Sequence, residues 1–292
     1  MNEKIIAVIP VFNEENYIFD ILDKVSNYCD EIIVINDGSS DRSIEKIIDF
    51  KKLDKKHIEI IENKKNYGIG YSVKKGFELA LKNGAEIVLK IDADGQHDPD
   101  DIPKFIKLIN DSNLDLVKGN RFFDAESIQN MPKIKIFGNL ITTNIQKIIS
   151  GNYKLSDPNN GFLAVRASKL KSVNFNILNN QYFFENSLLV VFTALDFKID
   201  EIGIQTIYRN EKSSIPIFTA SIKLLPVFIS LLFKKNSIRA FQKLSINSLI
   251  FYIGVLILII NIYLNNIIFW FVFSILIVIY LLIDIVNFYR QN

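Results

Sequence analysis

Two aspartates separated by one residue, Asp92 and Asp94, follow an apolar run and precede Gln96. Carboxylate and amide oxygens suit a hard divalent cation, and a cation held there would bridge the phosphates of a nucleotide substrate. A bound cation would also explain how neighbouring carboxylates stay ionised. An ordinary surface turn is the alternative. Because the pair follows an apolar strand in an alternating series of strands and helices, we favour a metal site made of Asp94, Gln96 and Asp92.

Two further polar clusters follow apolar runs in the same way. One is the run Asn36-Asp37-Gly38-Ser39-Ser40-Asp41, whose acidic and hydroxyl groups can hydrogen-bond a ribose and a base. The same run is also typical of a turn that caps a helix. The other cluster covers residues 10–15. From the two clusters we expect the nucleotide-binding residues Pro10, Asn13, Glu14, Asn36, Asp37 and Ser39.

The elements around these clusters alternate between short β-branched runs and amphipathic stretches, which is typical of a mostly parallel sheet covered by helices. In such sheets ligands bind beyond the carboxyl ends of the strands, where all three clusters fall. The pattern predicts strands at 5–9, 31–35, 58–61, 87–91 and 114–118. It predicts helices at 15–27, 42–53, 70–82 and 99–110, the second capped by Ser39, Ser40 or Asp41, and a further strand near 199–208.

Composition limits the classes of partner and metal site. Residues 212–292 hold seven of the 34 basic residues and one of the 32 acidic residues, which leaves residues 1–211 with a net charge of −4. A nucleic-acid-binding protein normally carries its basic surface on the folded domain, so nucleic acid is not the expected partner. A single cysteine, Cys29, and two histidines, His57 and His97, exclude a disulfide framework and a Cys/His zinc site.

The last third of the chain is strongly apolar. Residues 215–233 carry few charges and end in a basic stretch, which predicts one or two helices in a membrane interface; helices docked on the first domain are the alternative. Residues 248–264 and 267–283 are uncharged, and each would span roughly 25 Å as a helix, close to the lower limit for crossing a bilayer. A transmembrane hairpin is the simplest interpretation, and a buried soluble hairpin is the weaker one.

These patterns divide the chain into three predicted parts. They are a catalytic domain at residues 1–214, interfacial helices at 215–246 and the hairpin at 247–292. Basic residues flank the hairpin and its Asn265-Asn266 turn is uncharged, so the positive-inside rule keeps both flanks cytoplasmic. The N-terminus lacks the features of a signal peptide, and we expect the first domain in the cytosol.

Four motifs in this order resemble the family 2 glycosyltransferases of GT-A fold: residues 9–15, 37–41, 92–97 and Lys118-Gly119-Asn120-Arg121. The chain is most similar to their polyprenyl-phosphate sugar transferases, such as the dolichol-phosphate mannose synthases, over about residues 4–215. The resemblance implies that Asp94 and Gln96 hold Mg²⁺ or Mn²⁺ and that Asp92 lies beside the nucleotide. Asn36 departs from the family, where many members have Asp.

The resemblance also implies an acceptor site for a lipid phosphate. Its predicted residues are Arg121, Lys133, Lys135, Glu185 and Ser213. Asn120 stands where the family usually has Ser, and Lys135 stands where Arg is frequent; a lysine binds phosphate as a point charge without the bidentate fork of arginine. Asp157, in the run Asp157-Pro158-Asn159-Asn160-Gly161-Phe162, matches the family's Asp-x-x-Ser-Gly-Phe loop apart from Asn160.

The expected reaction is an inverting transfer from a nucleotide-sugar donor to a polyprenyl phosphate, with Asp94, Asp157 and Arg121 as catalytic residues. A phosphate acceptor is already ionised near neutral pH, so Asp157 is expected to position groups, or to act as a base only if the acceptor is protonated. Membrane lipids are expected partners, and the oligomeric state, a homo-oligomer included, is left open. The alternatives are a glycan hydroxyl acceptor, which the missing Gln-x-x-Arg-Trp run disfavours, and an inactive nucleotide-binding scaffold.

Overall fold

The fold is known from a computed structural model, which describes residues 3–53, 57–123, 131, 133–207, 229–238, 250, 253–255, 279–280 and 283, with residues 133–135 described by their backbone alone. Within these residues seven strands form one sheet in the order β3-β2-β1-β4-β6-β5-β7. The strands are β1 (Ile5–Val11), β2 (Glu31–Asn36), β3 (His57–Glu62), β4 (Ile87–Lys90), β5 (Leu116–Asn120), β6 (Leu163–Arg166) and β7 (Ile199–Gly203).

One strand runs against the others. β6 pairs antiparallel with both β4 and β5, whereas every other pairing in the sheet is parallel. At one end of β6, Leu163 lies opposite both Lys90 and Lys118. The loop that leads into β6 therefore lies at the edge where β4 and β5 end, and it joins the polar clusters there.

Helices cover both faces of this sheet because the strands are apolar on both sides, as expected of a mostly parallel sheet. One core lies beneath α1, α2 and α4, and a second lies beneath α3 and α7. The helices are α1 (Ile18–Val25), α2 (Ser43–Lys51), α3 (Ile69–Lys82), α4 (Ile102–Asp111), α5 (Lys133–Ser150), α6 (Ala167–Leu170) and α7 (Phe184–Ala194), and residues 229–238 are also helical.

The five predicted strands in the first part are all present, and the mixed α/β, mostly parallel architecture is confirmed. The strand predicted at 114–118 begins two residues later, and β6 was not predicted. The first helix begins at Ile18 instead of residue 15 because residues 15–17 form a turn. The N-cap residue of α2 is Arg42 and not Ser39, Ser40 or Asp41, although Asp41 accepts the backbone N–H of Ser43, the first residue of the helix.

The predicted membrane segments fall mostly outside the described residues. Of 248–264 and 267–283, the structure describes residues 250, 253–255, 279–280 and 283. In the described parts of the chain, no helix has the length and apolar character that a bilayer crossing requires. The transmembrane hairpin and the division of residues 215–292 stay predictions.

Candidate active site

The loops that follow β1 and β2 are joined by hydrogen bonds. Asn13 adopts a left-handed backbone conformation (φ 59°), and its side-chain oxygen accepts the N–H of Ser40 at 2.8 Å. Its own N–H donates to Ser39 Oγ at 3.0 Å, and the N–H of Glu14 donates to Ser43 Oγ at 2.7 Å. The predicted nucleotide-binding residues of the two clusters, Pro10 at the end of β1 among them, are therefore brought together on one edge of the sheet.

Asp37 holds a third loop onto the same edge. Its side chain is buried, and its Oδ1 accepts the Asn63 side-chain N–H and the Tyr67 backbone N–H, while Oδ2 accepts the Gly68 N–H at 2.8 Å. Both oxygens are thus used inside the protein, and the structure gives Asp37 a loop-holding role. A direct nucleotide contact by Asp37, and by its buried neighbour Asn36, stays a prediction.

The predicted metal ligands lie in one tight turn after β4. Asp94 Oδ1 accepts the backbone N–H of Gln96 at 3.0 Å, and Gly95 between them has φ +68°, a conformation that favours glycine. Asp92, Asp94 and Gln96 are all partly exposed at the edge. Two carboxylates and an amide are the oxygen donors that Mg²⁺ and Mn²⁺ prefer, so the residues present fit the predicted cation.

A buried lysine stands directly behind this turn. Lys90 Nζ lies 2.7 Å from Asp92 Oδ1 and 2.8 Å from Glu185 Oε1, and its side chain has no exposed surface. Burial alone would lower the pKa of Lys90, but the two carboxylates outweigh burial and raise it. Burial likewise would raise the pKa of Asp92, and Lys90 holds it below its usual range instead. Asp92 is therefore ionised and fixed in place at neutral pH.

Glu185 was predicted to bind the acceptor, and in the structure it contacts a residue of the protein itself. Its carboxylate is buried at the start of α7, where it accepts a hydrogen bond from Lys90. It lies behind the turn that carries Asp92 and supports that turn through the lysine. An acceptor contact by Glu185 stays a prediction.

Arg121 and Asp157 form a bidentate pair beside the turn. Arg121 Nε and Nη2 donate to the two carboxylate oxygens at 2.7 and 2.8 Å, and the Arg121 backbone N–H donates to Oδ2 at 3.1 Å. Burial would raise the pKa of Asp157, but the Arg121 guanidinium outweighs burial and holds the pKa below its usual range. An ionised carboxylate with a lowered pKa that accepts two hydrogen bonds from a guanidinium is a poor proton acceptor. This agrees with a positioning role for Asp157.

Glu201 on β7 fixes the loop that carries Asp157. One carboxylate accepts the backbone N–H groups of Ser156 and Asp157 at 2.9 Å and the side-chain N–H of Asn120 at 3.0 Å. Burial raises the pKa of Glu201. The contacts connect the end of β5, which leads to Arg121, with the loop before β6, and they hold the two halves of the ion pair together.

Two more ionisable groups are buried near the pair. The side chain of Lys118 is fully buried and donates to the backbone carbonyl of Asn160, and burial lowers its pKa to about 8. His97 lies against Phe162 with ring centroids 5.5 Å apart, and burial lowers its pKa to about 4, so the imidazole is neutral at pH 7. This edge of the sheet therefore combines the ionised carboxylates of Asp92 and Asp157 with the buried ammonium groups of Lys90 and Lys118.

Sequence reasoning gave no role to Lys90, Lys118 or Glu201. The sequence does indicate that the two lysines are buried and paired, because a charged residue inside an otherwise apolar strand is buried and needs a partner of opposite charge or a hydrogen-bond acceptor. The partners could not be inferred, since Glu185 lies 95 residues beyond Lys90 in the chain. Lys133 and Lys135 lie in the first turn of α5, but their side chains are outside the described atoms, and Ser213 is outside the described residues.

A separate group of potential metal ligands lies at the other edge of the sheet. Among the described residues, Glu31, His57 and Glu59 bring ligand atoms within 4.8 Å of one another. Glu31 and His57 are the first residues of β2 and β3. This group is therefore at the amino ends of the strands, away from the turn of Asp94, and it does not bear on the predicted site.

Two curated relatives share most of their length with the chain. It is 32% identical to the UDP-N-acetylglucosamine–dolichyl-phosphate N-acetylglucosaminyltransferase of Methanococcus voltae over 223 residues, which cover 72% of this chain and 88% of that protein. It is 22% identical to the polyprenol monophosphomannose synthase of Mycolicibacterium smegmatis over 214 residues, which cover 69% of this chain and 80% of that protein.

Solved structures support the fold. Glucosyl-3-phosphoglycerate synthase of Mycobacterium tuberculosis in complex with UDP superposes with a TM-score of 0.61 at 18% identity, covering 79% of this chain and 80% of that one. The same enzyme with Mn²⁺, UDP and glucosyl-3-phosphoglycerate gives a TM-score of 0.56 at 17% identity, covering 80% of each chain. At these identities the likeness concerns the fold alone.

A family model decides the classification. The model described as glycosyl transferase family 2 matches residues 6–173, more than half of the chain. This range contains β1 to β6, the turn of Asp94 and the Arg121–Asp157 pair. With these residues in place at the carboxyl edge of a GT-A-like sheet, the chain belongs to glycosyl transferase family 2 and is a glycosyltransferase.

Proposed function

We propose that this enzyme transfers a sugar from a nucleoside-diphosphate sugar to a polyprenyl phosphate such as a dolichyl or undecaprenyl phosphate. One observation carries the proposal. The acidic turn of Asp92 and Asp94 and the Arg121–Asp157 pair lie at the same edge, because the ends of β4 and β5 both flank β6. A donor site and an anion-binding site are thereby adjacent. Two relatives support this acceptor class: the name of one contains dolichyl phosphate, and the name of the other contains polyprenol monophosphomannose.

The reaction is a single displacement with inversion. An oxygen of the acceptor phosphate forms a bond to the anomeric carbon of the sugar, and the bond from that carbon to the nucleoside diphosphate breaks. The acceptor is an anion before it reacts, and the charge passes to the leaving diphosphate. No proton has to be removed, so the chain's residues bind and orient the two substrates.

Negative charge accumulates on the leaving diphosphate during the reaction. The acidic turn would hold the cation that neutralises this charge. Asp94 and Gln96, together with Asp92, would hold Mg²⁺ or Mn²⁺, which supplies positive charge to the diphosphate when bound. Lys90 keeps Asp92 ionised and immobile, and Glu185 fixes Lys90 in turn. The donor site is thus prepared before a substrate arrives, which lowers the cost of reorganisation during the reaction.

Arg121 and Asp157 orient the acceptor. Asp157 uses two of the five N–H groups of the guanidinium, which fixes the plane and direction of Arg121. A guanidinium held in this way can bind an incoming phosphate without first losing side-chain entropy. Lys133 and Lys135 are proposed to add positive charge from the start of α5, and Ser213 is proposed to contact the acceptor.

The acceptor explains the apolar C-terminal third. A polyprenyl phosphate cannot leave the bilayer without exposing its chain at about 0.8 kcal/mol per CH₂, so the enzyme has to reach the membrane. We place a catalytic domain at residues 1–214 on the cytoplasmic side, interfacial helices at 215–246 and a two-helix hairpin at 247–292. Membrane lipids are then partners of the protein.

A transfer assay with paired acceptors tests the proposal. Purified protein is incubated with Mn²⁺ or Mg²⁺, a panel of radiolabelled nucleoside-diphosphate sugars, and either a polyprenyl phosphate or an oligosaccharide. We expect label in the organic phase with one donor, and release of that label by mild acid. Label on the oligosaccharide alone would indicate a hydroxyl acceptor, and neither product with any donor would indicate an inactive scaffold; either result would overturn the proposal.

A further inference from the structure

Helix α5 carries an apolar stripe on its exposed side. Phe137 and Leu140 are each 59% exposed, Ile148 is 45% exposed and Ile141 is 41% exposed. With spacings of three, four and seven residues they lie along one side of the helix. Single exposed apolar residues are ordinary, but an aligned set is a feature of interaction surfaces.

The opposite side of α5 is occupied. It packs against α7 and the helical residues 229–238, where Ile149 contacts Val190 and Leu231 in a small core. Nearer the start of α5, the same side holds the loop of Asp157, because Asn159 Nδ2 donates to Asn139 Oδ1 at 2.8 Å and to Thr142 Oγ1 at 2.6 Å. The exposed stripe thus lies on the other side of the helix, and the loop of Asp157 lies within the width of one helix, about 10 Å.

Charge around α5 favours an anionic partner. No Asp or Glu occurs from residue 127 to residue 156, whereas this stretch contains four lysines, Lys133, Lys135, Lys147 and Lys154. An apolar stripe flanked by basic residues is typical of helices that lie in a membrane interface. Lysines near an anionic leaflet are attracted to its negative surface potential.

The helix next to α5 precedes the apolar C-terminal segments in the chain. Residues 229–238 pack on α5 and are followed in the sequence by the uncharged segments 248–264 and 267–283. Lys234 donates to the carbonyl of Ile177, while Ile229 is 48% exposed. The predicted membrane segments therefore follow a helix that is packed against α5.

We propose that the stripe of Phe137, Leu140, Ile141 and Ile148 docks in the headgroup region of an anionic bilayer and thereby sets the height of the Arg121–Asp157 pair above the lipid phosphates. This inference rests on the proposed function and goes beyond its C-terminal anchor, because it assigns a second membrane contact to the catalytic domain itself. A second copy of the chain is the competing occupant.

Site-specific labelling of the full-length protein tests the docking. The only cysteine, Cys29, is buried and is replaced in a Cys29→Ala background. Leu140→Cys and Ile148→Cys then carry an environment-sensitive fluorophore on α5. Ile48→Cys is the matched control, since Ile48 is 43% exposed on α2, which covers the opposite face of the sheet. Each protein is reconstituted into vesicles of phosphatidylcholine and phosphatidylglycerol that contain a lipid-borne quencher.

We expect lipid-borne quenching at both α5 positions and none at position 48. Equal quenching at positions 48, 140 and 148 would overturn the docking while leaving membrane anchoring intact, because the protein would still co-float with the vesicles. A lipid-independent, concentration-dependent blue shift at α5 would assign the stripe to a second copy and would also overturn it. Failure to co-float at all would count against the proposed membrane attachment as well, which separates the two claims.

Activity provides a second readout. Leu140→Glu should lower transfer to a long-chain polyprenyl phosphate in these vesicles about tenfold, equivalent to about 1.4 kcal/mol, and leave transfer to a short-chain, water-soluble acceptor phosphate unchanged. Ile48→Glu should change neither rate. Equal losses on both acceptors in Leu140→Glu would indicate damage to the domain instead of lost docking and would contradict the proposal.

Discussion

Arg121 and Asp157 form a pair that is expected to serve both stability and the proposed reaction. Arg121→Gln leaves the buried carboxylate of Asp157 without its charged partner, which should cost about 3–5 kcal/mol of unfolding free energy. Arg121→Lys keeps the charge but loses the bidentate geometry, so we expect a smaller loss of stability and a raised KM for polyprenyl phosphate. Urea unfolding and acceptor titrations measure the two effects.

The same pair predicts the direction of an acid response. The pKa of Asp157 is held below its usual value, so the pair stabilises the folded state above the unfolded pKa and loses this contribution as pH falls through the folded pKa. The difference in stability between the wild type and Arg121→Gln should therefore shrink on acidification. A difference that grew as pH fell would contradict the assigned ionisation.

Lys118 makes an alkaline prediction in which stability again rises with pH. Its folded pKa is about 8 and its ordinary value is 10.5, so the unfolded chain binds more protons between these pH values and stability rises with pH across that window. Lys118→Met should remove this rise, worth roughly 3 kcal/mol at 1.36 kcal/mol per pKa unit. Unfolding followed by circular dichroism between pH 8 and pH 10.5 measures the slope. Equal slopes of stability against pH for the wild type and Lys118→Met would contradict the lowered pKa of Lys118.

At the scale of elements, the close approach of the loop before β6 to the turn after β4 gives a sharp test. A Cβ on Gly161 would collide with Asp92 Oδ2 and approach Lys90 Nζ, whereas a Cβ on Gly138 in α5 would meet nothing within 4 Å. Gly161→Ala should displace Asp92 and weaken donor binding by at least tenfold, about 1.4 kcal/mol. Gly138→Ala should be neutral or stabilise the helix by about 0.5–1 kcal/mol. Calorimetric titration with a nucleoside diphosphate and Mn²⁺ compares the two variants.

The elements also show how far sequence reasoning reaches. β-branched runs at fixed intervals predicted the parallel strands, because each apolar run must be buried on both faces. β6, at Leu163–Arg166, was missed because it pairs antiparallel with β4, and so lies outside the alternation of helices and parallel strands that the pattern predicts. The acidic turn of Asp94 was predicted from spacing, whereas the contacts of Lys90, Lys118 and Glu201 depend on tertiary distances that no local pattern encodes.

At the scale of the whole molecule, the apolar C-terminal third is predicted to bring the enzyme to its lipid acceptor, whereas the rest of the chain is predicted to bind the substrates. Ending the chain at residue 238 retains the helix packed on α5 and removes both long uncharged segments. We expect this protein to be more soluble, to keep activity on a short-chain acceptor phosphate, and to lose activity on long-chain lipid phosphate in vesicles. Full activity on the long-chain lipid in detergent-free buffer would contradict the anchoring role.

The central claim is that the turn after β4 binds the diphosphate of the donor through a divalent cation. Asp94→Asn tests it most directly, because an asparagine oxygen can still accept the Gln96 N–H and preserve the turn. We expect nucleoside diphosphate with Mn²⁺ to raise the melting temperature of the wild type, to have no such effect on Asp94→Asn, and sugar transfer to be lost in the variant. An equal metal-dependent rise in melting temperature together with normal turnover in Asp94→Asn would contradict the account.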